Sequence, residues 1–470
     1  MIKIFLSIGL LFFSFTFAKA QDTTGFLAVR ELKPLSVTRD TGETPQSKAW
    51  AYAGYYWTVL PGDSGTHLWR LEGDIWVKQL KLSNHLYKAD CKIDGDLAHI
   101  LLFTGRDIIS LVSLKYNTGS RTYKFWSKDP ENVDINIGKK AFTATIEVDS
   151  KDRMWLASDA ESSIDVRWSD PPYTSWSEPV NLATEVTDDD LCAIVRIGNK
   201  IGVMWTDVNK KRFGFKTHAD QADPTAWSEE EIPSSQSALD LGGGMVSNSL
   251  NLASTSDGTL YAAIKTSFNT PGHPRLALLI RRPSGNWDDL YGVSGSGDRP
   301  VVLLNEEAQL IRVVYNTSLA NENDIVYKQS PMSGIIFTPE QLLLKGPYTD
   351  VTSTKDTFTE GVVILASNET HTAGVLAFDK LPEEDCCDWT LYPNPFNDIT
   401  SLYIKTRASG KYNLTIYSST GEQLTFLSGD TEAGEVKRIE INAEKFTTGL
   451  YLLRLQTKEQ FRTFRVVINK

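Results

Sequence analysis

Ile201–Thr206 reads IGVMWT, a compact apolar run set behind the turn residues Gly198-Asn199. Six other stretches share that form: Tyr55–Leu60 (YYWTVL), His99–Thr104 (HILLFT), Arg153–Ser158 (RMWLAS), Leu260–Lys265 (LYAAIK), Ile311–Asn316 (IRVVYN) and Gly361–Ser367 (GVVILAS). Their starts lie 44, 54, 48, 59, 51 and 50 residues apart. Asp94-Gly95 and Asp257-Gly258 are hairpin turns of the same kind, and Lys151-Asp152 and Glu306-Glu307 are charged equivalents. Runs this short are strands, and no stretch of 12 residues carries a sustained 3.6-residue period.

Each unit continues outward. A third strand follows at Ile164–Trp168, Arg212–Lys216, Leu276–Arg281 and Asp324–Lys328. A polar fourth strand is often opened by an aromatic: Trp76, Trp176, Trp227, Trp287 or Phe337. Four short strands repeated on this period predict an all-β chain built as a β-propeller. A lone blade cannot bury both faces, so the recurring tryptophans are expected between blades. Seven blades are counted, and six if Ala49–Leu80 is not a full unit. The seventh holds only about three strands near Thr352–Lys380, and Gly25–Glu31 (GFLAVRE) is placed to complete it and close the ring.

The ends read differently. Lys3, the apolar run Ile4–Phe17 and Ala18-Lys19-Ala20 form a signal peptide cut before Gln21, with Ala18 and Ala20 as the small residues of the cleavage site. A run of 14 residues is short for a bilayer span, and no later stretch approaches 18 apolar residues, so no transmembrane segment is expected in the mature chain. Beyond residues 381–390, an acidic linker, residues 391–470 carry 11 basic and 8 acidic side chains, a net +3. Residues 21–390 sum to −16 within a chain of 470 residues at −11, a charge that repels phosphate backbones and argues against nucleic-acid binding. Four cysteines exclude a disulfide scaffold: Cys91 and Cys192 read as buried thiols, and Cys386-Cys387 stay undecided.

Two resemblances follow from particular residues. Ser169-Asp170-Pro171-Pro172-Tyr173-Thr174-Ser175-Trp176 resembles the Asp-box hairpin of sialidases and other bacterial-neuraminidase-repeat propellers, though it lacks the glycine. Ser284-Gly285-Asn286-Trp287 and Ser333-Gly334-Ile335-Ile336-Phe337 keep only the turn and the aromatic. In the tail, Tyr392-Pro393-Asn394-Pro395, the turn at Gly421, Gly449-Leu450-Tyr451 and the basic-apolar finish at Arg465–Lys470 resemble the type A C-terminal sorting domain of the type IX secretion system. By pattern the tail is a small Ig-like antiparallel β-sandwich. The resemblance implies a partner, the type IX machinery, and passage through the periplasm of a Bacteroidota-type bacterium. The expected location is the medium or the outer-membrane cell surface.

Chemistry is expected at the central funnel, where the first strand of each blade begins. Those positions hold Lys48, Lys88, Asp90, Asp190, Asn251, Arg299 and Lys355, a mixture suited to hydroxyl-rich or carboxylate ligands. The same groups equally suit capping of strand ends. The sialidase arginine cluster is missing: Arg299-Pro300 is its nearest echo. If two carboxylates hydrolyse a glycoside, Asp190 with Asp90 or Asp298 are the candidates. Six scattered histidines give no metal spacing, and Asp188–Asp190 offers at most a calcium loop, so no cofactor is expected. The reading is a secreted or surface-displayed propeller that binds extracellular glycan or another polymer. Its rivals are a carbohydrate-active hydrolase or lyase on the same ring, and a purely structural surface protein.

Overall fold

The hydrophobic repeat becomes seven antiparallel sheets arranged as a ring, followed by a separate β-sandwich. The computed structural model describes residues 25–470 apart from 38–39, 43, 104–107, 127–131, 139–140, 234–242, 319–322, 381–388, 393, 407 and 459–460. The signal segment with Ala18 and Ala20, the Cys386-Cys387 pair and Pro393 lie outside the described residues. Chain contacts divide the molecule into Met1–Lys380 and Leu381–Lys470.

Blade 1 pairs Ala49–Tyr52, Tyr55–Gly62, Gly65–Glu72 and Ile75–Ser83 in order. Blade 2 begins Lys88–Asp94, Leu97–Phe103 and Ile108–Asn117, with Thr122–Phe125 and Asn132–Asn136 both pairing on its third strand. Blade 3 is Ala144–Val148, Met154–Asp159, Ser163–Ser169 and Val180–Thr184. Blade 4 has three strands among the described residues, Cys192–Ile197, Lys200–Asp207 and Arg212–Ala219, and Glu231 bridges to Phe215 where a fourth would lie. Blade 5 is Leu250–Ser254, Leu260–Lys265, Leu276–Arg281 and Tyr291–Ser294. Blade 6 is Asp298–Asn305, Leu310–Asn316, Ile325–Pro331 and Gln341–Leu344. Blade 7 is Asp350–Thr352, Gly361–Ser367 and His371–Phe378, and the N-terminal strand Ala28–Ser36 pairs on its outside, from Ala28 opposite Phe378 to Ser36 opposite His371.

The count is seven, and blade 1 is a full unit. All seven apolar runs quoted above are second strands, sandwiched within a sheet and between neighbouring blades. That double burial is why they read as unbroken apolar runs rather than alternating ones. Their leading turns need left-handed backbone: Gly95, Gly198 and Gly258 sit at φ of +57°, +63° and +86°. The closing strand runs about one turn of sequence later than Gly25–Glu31 but does the same job, so the ring is sealed by antiparallel hydrogen bonds between its two ends.

Seven hydrophobic clusters lie one at each blade interface. The first joins blades 1 and 2 through Trp57, Leu68, Ile100 and Tyr123, and the last joins blades 7 and 1 through Leu32, Leu60, Trp69 and Leu365. Trp155 and Trp205, both fully buried, share the interface of blades 3 and 4. The tryptophans of the ring are therefore interblade packing. Ser169–Trp176 is the link between the third and fourth strands of blade 3, fixed by Ser169 Oγ donating to Ser175 O (2.6 Å) and Trp176 Nε1 donating to Tyr173 O (3.2 Å). The two partial versions occupy the same place in blades 5 and 6, so these motifs are hairpin locks.

The tail has two sheets, one ordered Thr390–Tyr392, Ile399–Lys405, Val436–Asn442 and the other Gln423–Thr431, Gly410–Ser418, Gly449–Gln456, Phe461–Ile468. Trp389, Phe396, Leu414 and Leu453 help fill its own core.

Candidate functional site

The innermost strands all run the same way along the axis, which gives the ring a leading face where they begin and a trailing face where they end. The sequence reading placed its site at the leading mouth. That mouth is occupied by the chain itself. After the closing strand, residues 40–42 and 44–48 cross to the axis and sink into it: Thr41, Thr44, Gln46, Ser47 and Lys48 are all buried. Thr41 N donates to Ser367 Oγ of blade 7 (2.8 Å), and Gln46 Nε2 donates to Ala144 O of blade 3 (3.0 Å). Ser47 N donates to Asp90 Oδ1 of blade 2 (2.8 Å), and Asn251 Nδ2 of blade 5 donates to Thr44 O (2.8 Å). One strap thus ties four blades, as buried backbone groups require.

The seven residues singled out from sequence divide accordingly. Lys48 is fully buried at the foot of the strap, where its backbone pairs with Ser353 and Val59 and its ammonium reaches Gln46 Oε1 (3.4 Å). Lys88 pairs with Asp40 of the strap (3.2 Å). Arg299, held at φ +52°, pairs with Asp350 (3.0 Å). Burial pushes the Asp350 carboxyl up, opposed by the Arg299 guanidinium. Asn251 bridges blades, accepting from Val302 N (3.0 Å) while donating to the strap. Asp190 serves its own blade: one oxygen accepts from Thr187 N (2.7 Å) and Thr187 Oγ1 (3.0 Å), the other from Thr206 Oγ1 (2.8 Å) and Val208 N (3.0 Å). Those four donors saturate the carboxylate that a calcium loop would have used.

Asp90 and Lys355 are brought together. Asp90 is fully buried; it takes Ser47 N on one oxygen, and Ile146 N (2.8 Å) and Lys355 Nζ on the other. Lys355 also donates to Ile146 O (3.0 Å). This pair is the floor on which the trailing end opens. Above it lies a polar cavity of about 320 Å³ formed by the ends of the innermost strands of blades 2 to 6 and by the residues after that of blade 7. Lys92 is its centrepiece: its ammonium lies 2.8 Å from Glu147 and 3.5 Å from Asp356. Burial pulls the Lys92 pKa down, but Glu147 and then Asp356 more than offset this, and the net direction is up. Across the cavity, Glu306 accepts from Ser256 N (3.0 Å) and Ser256 Oγ (2.6 Å).

Lys92, Glu147 and Glu306 were not among the sequence candidates, while Asp356 belongs to the polar entry segment Thr354–Asp356. A signal existed. Lys88, Asp90 and Lys92 alternate along one strand, so all three side chains point to the axis, from the leading end to the trailing end. Following that period one step past Asp90 would have found Lys92.

In the tail, the motif residues are stitches. Asn394 donates to Arg465 O (2.7 Å) and accepts from Val467 N (2.9 Å), which fixes the start of the domain to its final strand. The Asn394-Pro395 peptide bond is cis. Tyr451, two residues into the strand that Gly449 opens, donates its hydroxyl to Thr447 O (2.8 Å) and packs on Phe446. Tyr392 lies in the first strand.

Residues 390–469 match the family model described as the secretion system C-terminal sorting domain. The tail is therefore an export address, and it marks the chain for secretion or attachment at the cell surface. No curated protein matches the chain in sequence. Among solved structures, the polysaccharide lyase Uly1 is similar at 8% identity and a TM-score of 0.40, over 71% of this chain and 89% of that one. A Penicillium chrysogenum alpha-L-arabinanase complexed with arabinobiose is similar at 11% and 0.37, over 65% and 100%. The Hadza microbial sialidase Hz136 is similar at 12% and 0.39, over 69% and 73%. The fold stands on the strand pairing and ring closure given above. No helix among the described residues is long and apolar enough to cross a membrane.

Proposed function

We propose that this is an exported β-propeller that binds a neutral, hydroxyl-rich extracellular ligand, a glycan, in the funnel at its trailing face. The observation that carries the reading is the charge-matched lining of that cavity. Lys92 is set between Glu147 and Asp356, Lys355 is held by Asp90, and Glu306 is fixed by Ser256. Arg196, which also lines the cavity, donates Nε to Gly198 O (3.1 Å), so the lining sets the cations Lys92, Arg196 and Lys355 against the carboxylates Glu147, Glu306 and Asp356 and offers many directed hydrogen bonds with little net field. Such a balanced site suits sugar hydroxyls better than an acidic sugar, which would need an excess of cations.

Binding is favoured over hydrolysis by the place of Lys92. Two catalytic carboxyl groups must face a glycosidic bond across open space. Here Glu147 and Asp356 both face one fixed ammonium instead. The test is a glycan-array screen of the mature chain, with the retained glycans then incubated and assayed for new reducing ends. Retention of neutral glycans without new ends is expected. An array on which nothing is retained, or retention followed by chain cleavage, would overturn the proposal.

A further inference from the structure

We infer that the leading face carries a second, independent sugar-binding cavity, off the axis between blades 3, 4 and 5, with Phe142 as its stacking platform. A cavity of about 320 Å³ lies there, lined by Phe142, Asp189, Val208, Ser247, Asn248 and Ser267 among others. Phe142 is 46% exposed and Val208 45%, and both line this one cavity.

Both apolar residues are held rigidly by buried carboxylates. Asp159, fully buried, accepts from Phe142 N (2.7 Å), Thr143 N and Thr143 Oγ1 (2.9 Å). Asp190, also fully buried, accepts from Val208 N and from Thr187, and so fixes the loop that carries Asp189. The third wall is pressed into place as well. A Cβ at Gly243 would lie 2.6 Å from Ser267 O, so the segment leading to Asn248 sits against its neighbouring hairpin in a way only glycine permits. Burying two carboxylates is costly, and here that cost holds exposed side chains in fixed positions.

The chemistry selects the ligand. An exposed aromatic face beside the Asp189 carboxylate, the hydroxyls of Ser247 and Ser267 and the Asn248 amide, whose oxygen accepts from Lys265 Nζ (3.3 Å), matches a pyranose ring, which offers an apolar face to stack and a rim of hydroxyls to bond. Asp189 disfavours an anionic sugar. The ligand class is a neutral oligosaccharide, and the cavity does not share a residue with the trailing funnel.

The experiment uses the mature chain carrying Asp356→Ala, which disables the funnel and leaves this cavity intact. Four neutral hexasaccharides (β-1,4-glucan, β-1,4-xylan, β-1,4-mannan and α-1,4-glucan) are titrated into it by calorimetry. At least one is expected to bind. Adding Phe142→Ala should weaken that binding by at least about tenfold with the melting temperature unchanged, and Phe142→Trp should retain it. Absence of binding by all four sugars, or equal affinity with and without Phe142→Ala, would overturn the inference. If wild type and Asp356→Ala bind alike at a single site, the funnel reading fails while this one stands.

Discussion

The two ends of the axial channel are made from the same seven strands yet do opposite work. At the leading end, polar groups face polar groups of the chain itself. The strap of residues 40–42 and 44–48 consumes Asp90, Asn251, Ala144 O and Ser353 O, and the cations Lys88 and Arg299 are paired. At the trailing end, no strap arrives among the described residues and the lining stays open to a ligand. A ring places polar residues at both ends because strand termini need them. What distinguishes a site from a seal is whether the chain returns to cover it.

Four perturbations test this contrast, in falling order of effect. Removing residues 25–36 strips the closing strand from blade 7 and releases the strap. It should abolish the cooperative melt rather than shift it slightly, because both an edge and the axis lose their partners. A urea midpoint equal to that of the mature chain would show that the seal is ornamental.

Asp90→Ala comes next. It leaves Lys355 buried without its carboxylate and Ser47 N and Ile146 N without an acceptor. A loss of about 3–5 kcal/mol is expected on chemical denaturation, and a loss under about 1 kcal/mol would place Asp90 among the exchangeable surface charges.

The third concerns pH. Burial raises the Asp159 carboxyl to about 7 from an ordinary 3.8, against the pull of its Phe142 and Thr143 donors. The native state therefore holds a proton that the unfolded chain has released. The stability this contributes is fully present below the unfolded value and is lost as pH rises through about 7. Thermal melts should fall by on the order of 1–3 kcal/mol equivalent between pH 4 and 8. Asp159→Asn should flatten that slope, and an unchanged slope would contradict it.

The smallest effect is at the trailing end. Asp356 is half exposed and its bond to Lys92 is long, so Asp356→Ala should change stability by less than about 1 kcal/mol. A large loss of stability would mean that the trailing end is also structural.

Much of this was legible before any coordinates. The second strands of all seven blades, the hairpin turns, the interblade tryptophans, the ring closure and the sorting tail each leave a local signature: an apolar run, a positive-φ glycine, a motif of fixed spacing. The site was legible only in part. Asp90 and Lys355 were found and do meet, because strand starts are easy to mark behind turns. Lys92 and Glu147 were missed because the turns after them, Asp94-Gly95 and Lys151-Asp152, were read only as the starts of the next strands, and the site was sought only where first strands begin. The strap was invisible because residues 40–42 and 44–48 have no periodicity; their burial arises from long-range bonds to Ala144, Asn251 and Ser367, which no local pattern encodes.

The central claim is that the ligand end is the trailing funnel and the leading mouth is a seal. Affinity for the neutral glycan best retained on the array, measured side by side for Lys92→Met and Arg299→Ala in the mature chain carrying Phe142→Ala, so that only the axis is read, tests it directly. Lys92→Met should lose at least about tenfold in affinity, the size of one or more charge-assisted hydrogen bonds, while Arg299→Ala binds as its Phe142→Ala parent does. Affinity lost in Arg299→Ala and kept in Lys92→Met would reverse the two ends and contradict the account.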